Sequence, residues 1–166
     1  MINGEKFLRK QHPGLDEQQY QPAGIDLKLG KIETFNTDQK FYGLVNGKKF
    51  LPECKELRMN AISVDGHMTN VYSLEPYVPY IATVQDKIEI DEQSLQFYKP
   101  RSSVLRCGAN VFTAIGDPGF YGHLSFLVIN FLPVDFIISK GERFAQLVDI
   151  RVDGIMKKYD GDYNEG

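Results

Sequence analysis

GDPGFYGHLSFLVINF, residues 116–131, decides how the rest of the chain is read. Its first half is turn chemistry. Gly116, Gly119 and Gly122 bracket Asp117, Phe120 and Tyr121, and Asp-Pro-Gly at 117–119 favours a tight reversal. Its second half, residues 124–131, is a strand-length run rich in β-branched and aromatic side chains. Outward from it the same alternation of run and turn recurs at residues 80–84, 87–90 and 136–139, each bounded by Gly, Pro, Asn or Asp. Such spacing predicts an all-β sandwich or barrel. Helical signals are few. Asn3 is placed to cap a short amphipathic turn over residues 3–9 that buries Phe7 and Leu8, and a second short helix is expected at 102–107. Residues 38–58 mix charge with Gly43, Gly47 and Pro52 and read as hairpins or an excursion from the main body.

The 166 residues suffice for one core, expected over residues 1–158. The polar, glycine-bearing end of KKYDGDYNEG, residues 159–166, is expected to be a mobile tail able to act as a lid. Nineteen Lys and Arg against twenty-two Asp and Glu leave a net charge of −3, so no broad cationic surface exists for nucleic acid. Cys54 and Cys107 form no CxxC pair, which points to a reducing compartment and the cytoplasm. No apolar run reaches the roughly 20 residues of a membrane span, and MINGEKFLRK lacks the apolar stretch of a signal peptide. His12, His67 and His123 have no partner at zinc-ligand spacing.

Four segments concentrate glycine, charge and hydroxyls where strands should turn. In QPAGIDLKLG, residues 21–30, Asp26 is either a carboxylate suited to a metal-bound water or an ordinary aspartate opening a strand. In KPRSSVLRCG, residues 99–108, Lys99, Arg101 and Arg106 flank Ser102 and Ser103, giving either an anion site or a capped helix with solvated arginines. In TAIGDPGFYGHL, residues 113–124, Asp117 is either a general base beside an aromatic recognition face or part of a plain hairpin turn. GERFAQLV, residues 141–148, reads as a strand in which Arg143 serves a structural ion pair or a ligand.

In this order and spacing the four segments resemble the motif series of the dUTPase and dCTP deaminase superfamily over residues 22–163. DLKLG, RSSVLRCG and YDGDY are closest to the archaeal and viral dUTP diphosphatases of the deaminase-like branch. The resemblance implies a distorted β-barrel or jelly roll with one or two short helices, assembled as a homotrimer with active sites between subunits. It also implies dUTP as substrate and Mg²⁺ as cofactor. Asp117 matches the aspartate that orients the attacking water, and Asp26 matches a second catalytic carboxylate that, with Gln146, holds the metal through waters. Phe120 matches the aromatic packed on deoxyribose. Arg101, Ser102, Ser103, Arg106 and Gln146 match residues around the triphosphate. Ala114 lies in the hairpin whose backbone would read uracil, and Tyr159 and Tyr163 match the lid.

Deaminases of this superfamily resemble one another in placing a glutamate five residues past the last glycine of DPGxxG. Here Leu127 stands there. Leucine cannot move the protons that deamination at C4 requires, so hydrolysis of dUTP to dUMP and pyrophosphate is the expected reaction. The alternatives are a dCTP deaminase, a bifunctional deaminase and diphosphatase, and a non-catalytic nucleotide-binding regulator.

Overall fold

The structure, a computed structural model, describes residues 1–154 and 159–165. The domain boundary expected at residue 158 and the last residue of the expected tail, Gly166, lie outside the described residues.

Alternation along the chain builds one large antiparallel sheet. In chain order the elements are α1 (Glu5–Gln11), β1 (Tyr20–Gln21), β2 (Gly24–Phe35), β3 (Gly43–Val45), β4 (Lys48–Phe50), β5 (Cys54–Glu56), β6 (Asn60–Val64), β7 (His67–Leu74), β8 (Pro79–Glu89), β9 (Ser94–Pro100), α2 (Ser102–Arg106), β10 (Ala109–Phe112), β11 (Tyr121–Asn130), β12 (Phe136–Ile138) and β13 (Arg143–Arg151). The main sheet runs β10-β11-β8-β2-β13-β9, with β1 and β5 added along β2. Just past β10, Gly116 exchanges two backbone hydrogen bonds with Gln96 of β9, 3.0 and 2.8 Å. That bridge brings the two ends of the sheet together into a nearly closed barrel. A second sheet, β12-β7-β6, and the β3-β4 hairpin complete the molecule. Among the described residues no helix is long and apolar enough to cross a membrane.

Leu124, Phe126 and Val128 of β11 point into the barrel, where they join Leu27 and Leu29 of β2 and Phe144 and Leu147 of β13. Each such side chain removed from water contributes roughly 1.5–3 kcal/mol before chain entropy is subtracted.

Two expectations change. The runs at 80–84 and 87–90 are one strand, β8, because Gln85 turns to solvent and Asp86 accepts the Gln19 amide at 3.0 Å, so neither residue breaks the alternation. Helix α1 starts two residues later than expected. Gly4 takes the capping position, while the Asn3 amide donates instead to Ser94 and Asp149; of the two apolar residues, Leu8 is the buried one. The reading of residues 38–58 as hairpins holds: β3 and β4 pair around Asn46 and Gly47, both with positive φ, 49° and 76°, the geometry of a type I′ turn. Strand β5 returns to pair with the end of β2. The hairpin also reaches the chain's far end, where Lys49 meets Asp162 at 2.9 Å and lies 5.7 Å above the Tyr163 ring.

Candidate active site

The turn after β10 is shaped by its glycines in two different ways. Asp117 to Phe120 is a reversal closed by the Phe120 N–H donating to the Asp117 carbonyl, 3.2 Å, with proline at the second position and Gly119 at φ +83° at the third. This is type II geometry, and only Gly119 of the pair needs a left-handed backbone. Gly116 is small for a different reason: a Cβ there would lie 2.2 Å from the Tyr98 hydroxyl and 2.6 Å from Ile90 Cδ1. The turn is therefore pressed against β9, with Asp117 exposed at its rim and Phe120 largely buried behind it.

A cavity of about 480 Å³ opens beside this turn. Ala114, Asp117, Phe120, Tyr159 and Tyr163 all line it, as do Tyr98 and His123. The five expected residues thus meet at one place. The Tyr159 ring stands edge-on to Phe120 with centroids 5.5 Å apart, and the Tyr159 N–H donates to the Pro118 carbonyl at 2.8 Å. The rest of the described tail continues along its own chain. The Glu165 N–H donates to the Tyr121 carbonyl, and its carboxylate accepts the His123 N–H and pairs with Lys87 at 2.9 Å. Lys87 and that N–H hold the Glu165 carboxyl below its usual range. The acidic side chain at the tail's end is thereby neutralised on the barrel.

The anion-binding candidates gather elsewhere. Asp26 is buried near the start of β2, where one carboxylate oxygen meets Arg101 Nε at 3.0 Å and Arg143 Nη1 at 3.3 Å. Burial pushes its carboxyl above the usual range, and the two guanidiniums oppose that rise. Arg143 also donates to the Gln18 carbonyl at 2.7 Å, so both arginines are held in fixed directions. Gln146 of β13 is the register partner of Asp26 on one side and of Lys99 on the other, which sets Asp26, Gln146 and Lys99 in one row across three strands. A cavity of about 430 Å³ is lined by Arg101, Ser103 and Arg143 together with Glu142. Ser102, Ser103 and Arg106 are exposed on α2, and no side chain caps that helix. The capped-helix alternative is not realised, because Arg101 occupies the cap position with its guanidinium turned to Asp26.

The structure therefore sorts the expected residues into two groups that share no lining residue. One holds the base candidate, the aromatic and the tail; the other holds the cations, the buried carboxylate and Gln146. Sequence reasoning divided Arg143 between two roles, and the structure gives it the ion pair with Asp26. It missed Tyr98, Gln96 and Asp149, which back the Asp117 turn. Their only signal was inward alternation along β9 and β13, which marks direction and not chemistry.

The donor set can be tested against a hard cation. Among the described residues no three His, Cys, Asp or Glu side chains come together as a cage. Asp26 is buried with its carboxylate engaged by Arg101 and Arg143, so a magnesium beside it and its row neighbour Gln146 would be held chiefly by substrate phosphate oxygens and waters, which is how that ion commonly binds. At the position where a deaminase would need a proton-transferring acid, Leu127 lies between Phe112 and Ile81 in the strand register.

Comparison with known proteins shows the family and the fold. The model of a family described as dCTP deaminase-like matches residues 4–152. The chain is 41% identical over 163 residues to a protein of Methanopyrus kandleri named "Probable deoxyuridine 5'-triphosphate nucleotidohydrolase", covering 98% of this chain and 99% of that one. It is 34% identical to the deoxyuridine 5'-triphosphate nucleotidohydrolase of Methanocaldococcus jannaschii, over 98% of each. The fold superposes with a TM-score of 0.66 on the crystal structure of 2'-deoxycytidine 5'-triphosphate deaminase from Agrobacterium tumefaciens at 17% identity. That match covers 92% of this chain and 48% of the longer deaminase chain.

Proposed function

The chain belongs to the dCTP deaminase-like family, and on that premise we propose that it is a dUTP diphosphatase, hydrolysing dUTP to dUMP and pyrophosphate. Leu127 is the observation that carries the choice of reaction. It puts an aliphatic side chain, flanked by Phe112 and Ile81, where deamination needs an acid and base.

In this reading Asp117 takes the proton from the water that attacks the α-phosphorus. Phe120 packs on the deoxyribose, and the backbone around Ala114 reads the uracil. Arg101 and Arg106, with Ser102 and Ser103, absorb the charge that spreads over the phosphate oxygens. Magnesium, when bound, adds Lewis-acid polarisation of those oxygens, with Asp26 and Gln146 holding its waters. Asp26 has a second duty in the unliganded chain, since its contacts with Arg101 and Arg143 set both guanidiniums before substrate arrives.

The separation of the two groups supports a homotrimer in which one subunit's Asp117 cavity faces a neighbour's cation group, so that each site lies between chains. The decisive experiment follows pyrophosphate and ammonia release from dUTP, dCTP, dTTP and UTP, with and without Mg²⁺. Pyrophosphate from dUTP alone is the expected result. Ammonia from dCTP would replace this reading with a deaminase whose acid lies elsewhere, and tight dUTP binding with neither product would make the chain a nucleotide-binding regulator.

A further inference from the structure

Behind the turn that presents Asp117 lies a row of polar side chains, three of them buried and the outermost half-buried, that the reaction above leaves unused. We propose that Asn3, Asp149, Gln96 and Tyr98 form a positioning relay that fixes the Asp117 turn for catalysis. This deepens the diphosphatase reading and rests on Asp117 being the base.

The direction of the relay follows from hydrogen-bond chemistry. Asp149 and Gln96 are fully buried and Tyr98 is 3% exposed, so each polar atom among them needs a partner. A carboxylate only accepts. Asp149 takes an N–H from the Asn3 amide on one oxygen, 2.6 Å, and from the Gln96 amide on the other, 3.0 Å. With its nitrogen committed to Asp149, Gln96 turns its oxygen the other way, and the Tyr98 hydroxyl donates to it at 2.9 Å. Burial, reinforced by the charges of Asp149 and Asp117, pushes the Tyr98 hydroxyl upward, which keeps it protonated as a donor.

The relay ends on the catalytic turn. The Tyr98 hydroxyl sits where a Cβ on Gly116 would be, 2.2 Å away, and Gly116 is the residue before Asp117. Gln96 grips the same glycine through both of its backbone groups, and the Thr113 hydroxyl donates to the Tyr98 carbonyl at 3.1 Å. One residue thus holds the turn by its main chain and orients Tyr98 by its side chain. A buried carboxylate is costly to desolvate and often replaceable without loss of stability. Its value here is a single arrangement of the turn.

The test measures kcat and KM for dUTP, with magnesium, together with Tm, in Tyr98→Phe and Gln96→Met of the full chain, with Asp117→Asn as reference. Loosening the base by a fraction of an ångström should lower kcat by about tenfold while KM stays within about twofold, and Tyr98→Phe should keep a near-native Tm. If Gln96→Met does not fold, Asn3→Ala, which removes only the outer donor, carries the same expectation for kcat. Folded variants with native kcat would overturn the relay, and so would losses in which kcat, KM and Tm deteriorate in step. An Asp117→Asn chain with native turnover would instead remove the base assignment itself, so the two failures are distinguishable.

Discussion

Asp117 is presented by a tightly shaped local backbone: a glycine with no room for a side chain precedes it, a proline follows, and Gly119 closes the reversal. Asp117→Asn keeps this geometry and removes the base. We expect kcat to fall by about 10²–10⁴-fold with KM for dUTP nearly unchanged, as steady-state kinetics would show; unchanged kcat would take Asp117 out of the mechanism. Phe120 presents a largely buried ring to the same cavity, and Phe120→Ala should raise the use of UTP relative to dUTP in a competition assay. An unchanged ratio would place sugar discrimination at another residue. The turn that carries both residues was legible in the sequence because turn chemistry is local, and the structure sets both on one cavity. The ion pairs of Asp26 were not legible, since Arg101 and Arg143 reach it from positions far away along the chain and no sequence spacing encodes that meeting.

Strands were legible where polarity alternates and obscure where the tertiary structure supplies the reason for a residue. Gln85 and Asp86 look like a break between two runs, yet they continue β8 because one faces solvent and the other has Gln19 as a partner. The 43–50 hairpin shows in its Asn-Gly turn, whereas its contact with Asp162 and Tyr163 spans more than a hundred residues and has no local signature. The tail lies along the edge of the Asp117 cavity and adds Tyr159 and Tyr163 to its lining. Deleting residues 159–166 should therefore reduce kcat/KM for dUTP by about tenfold or more while leaving the circular dichroism of the barrel intact. Native kinetics in the truncated chain would show that the segment is not part of the working site.

For the whole molecule, pH acts through a histidine far from the chemistry in sequence. His12 is 5% exposed, and burial lowers its pKa below the ordinary 6.5, against the pull of Asp149. The unfolded chain then takes up a proton before the folded one does, so stability is complete above about pH 6.5 and is lost as pH falls through the window below it. His12→Gln should flatten the decline in Tm between about pH 7.5 and about pH 5.5. An equally steep decline in that variant would place the sensitivity on another group.

The division of the site into two non-overlapping sets of residues has a genetic consequence. If each working site borrows one set from each of two chains, two different inactive alleles can rescue one another. Asp117→Asn spoils only the first set and Arg101→Gln only the second. Co-refolded in equal amounts, such chains assemble at random, and about one junction in four unites two undamaged sets. A mixture of two dead proteins would then recover roughly a quarter of native turnover, whereas a site built within one chain would stay silent however the alleles are combined.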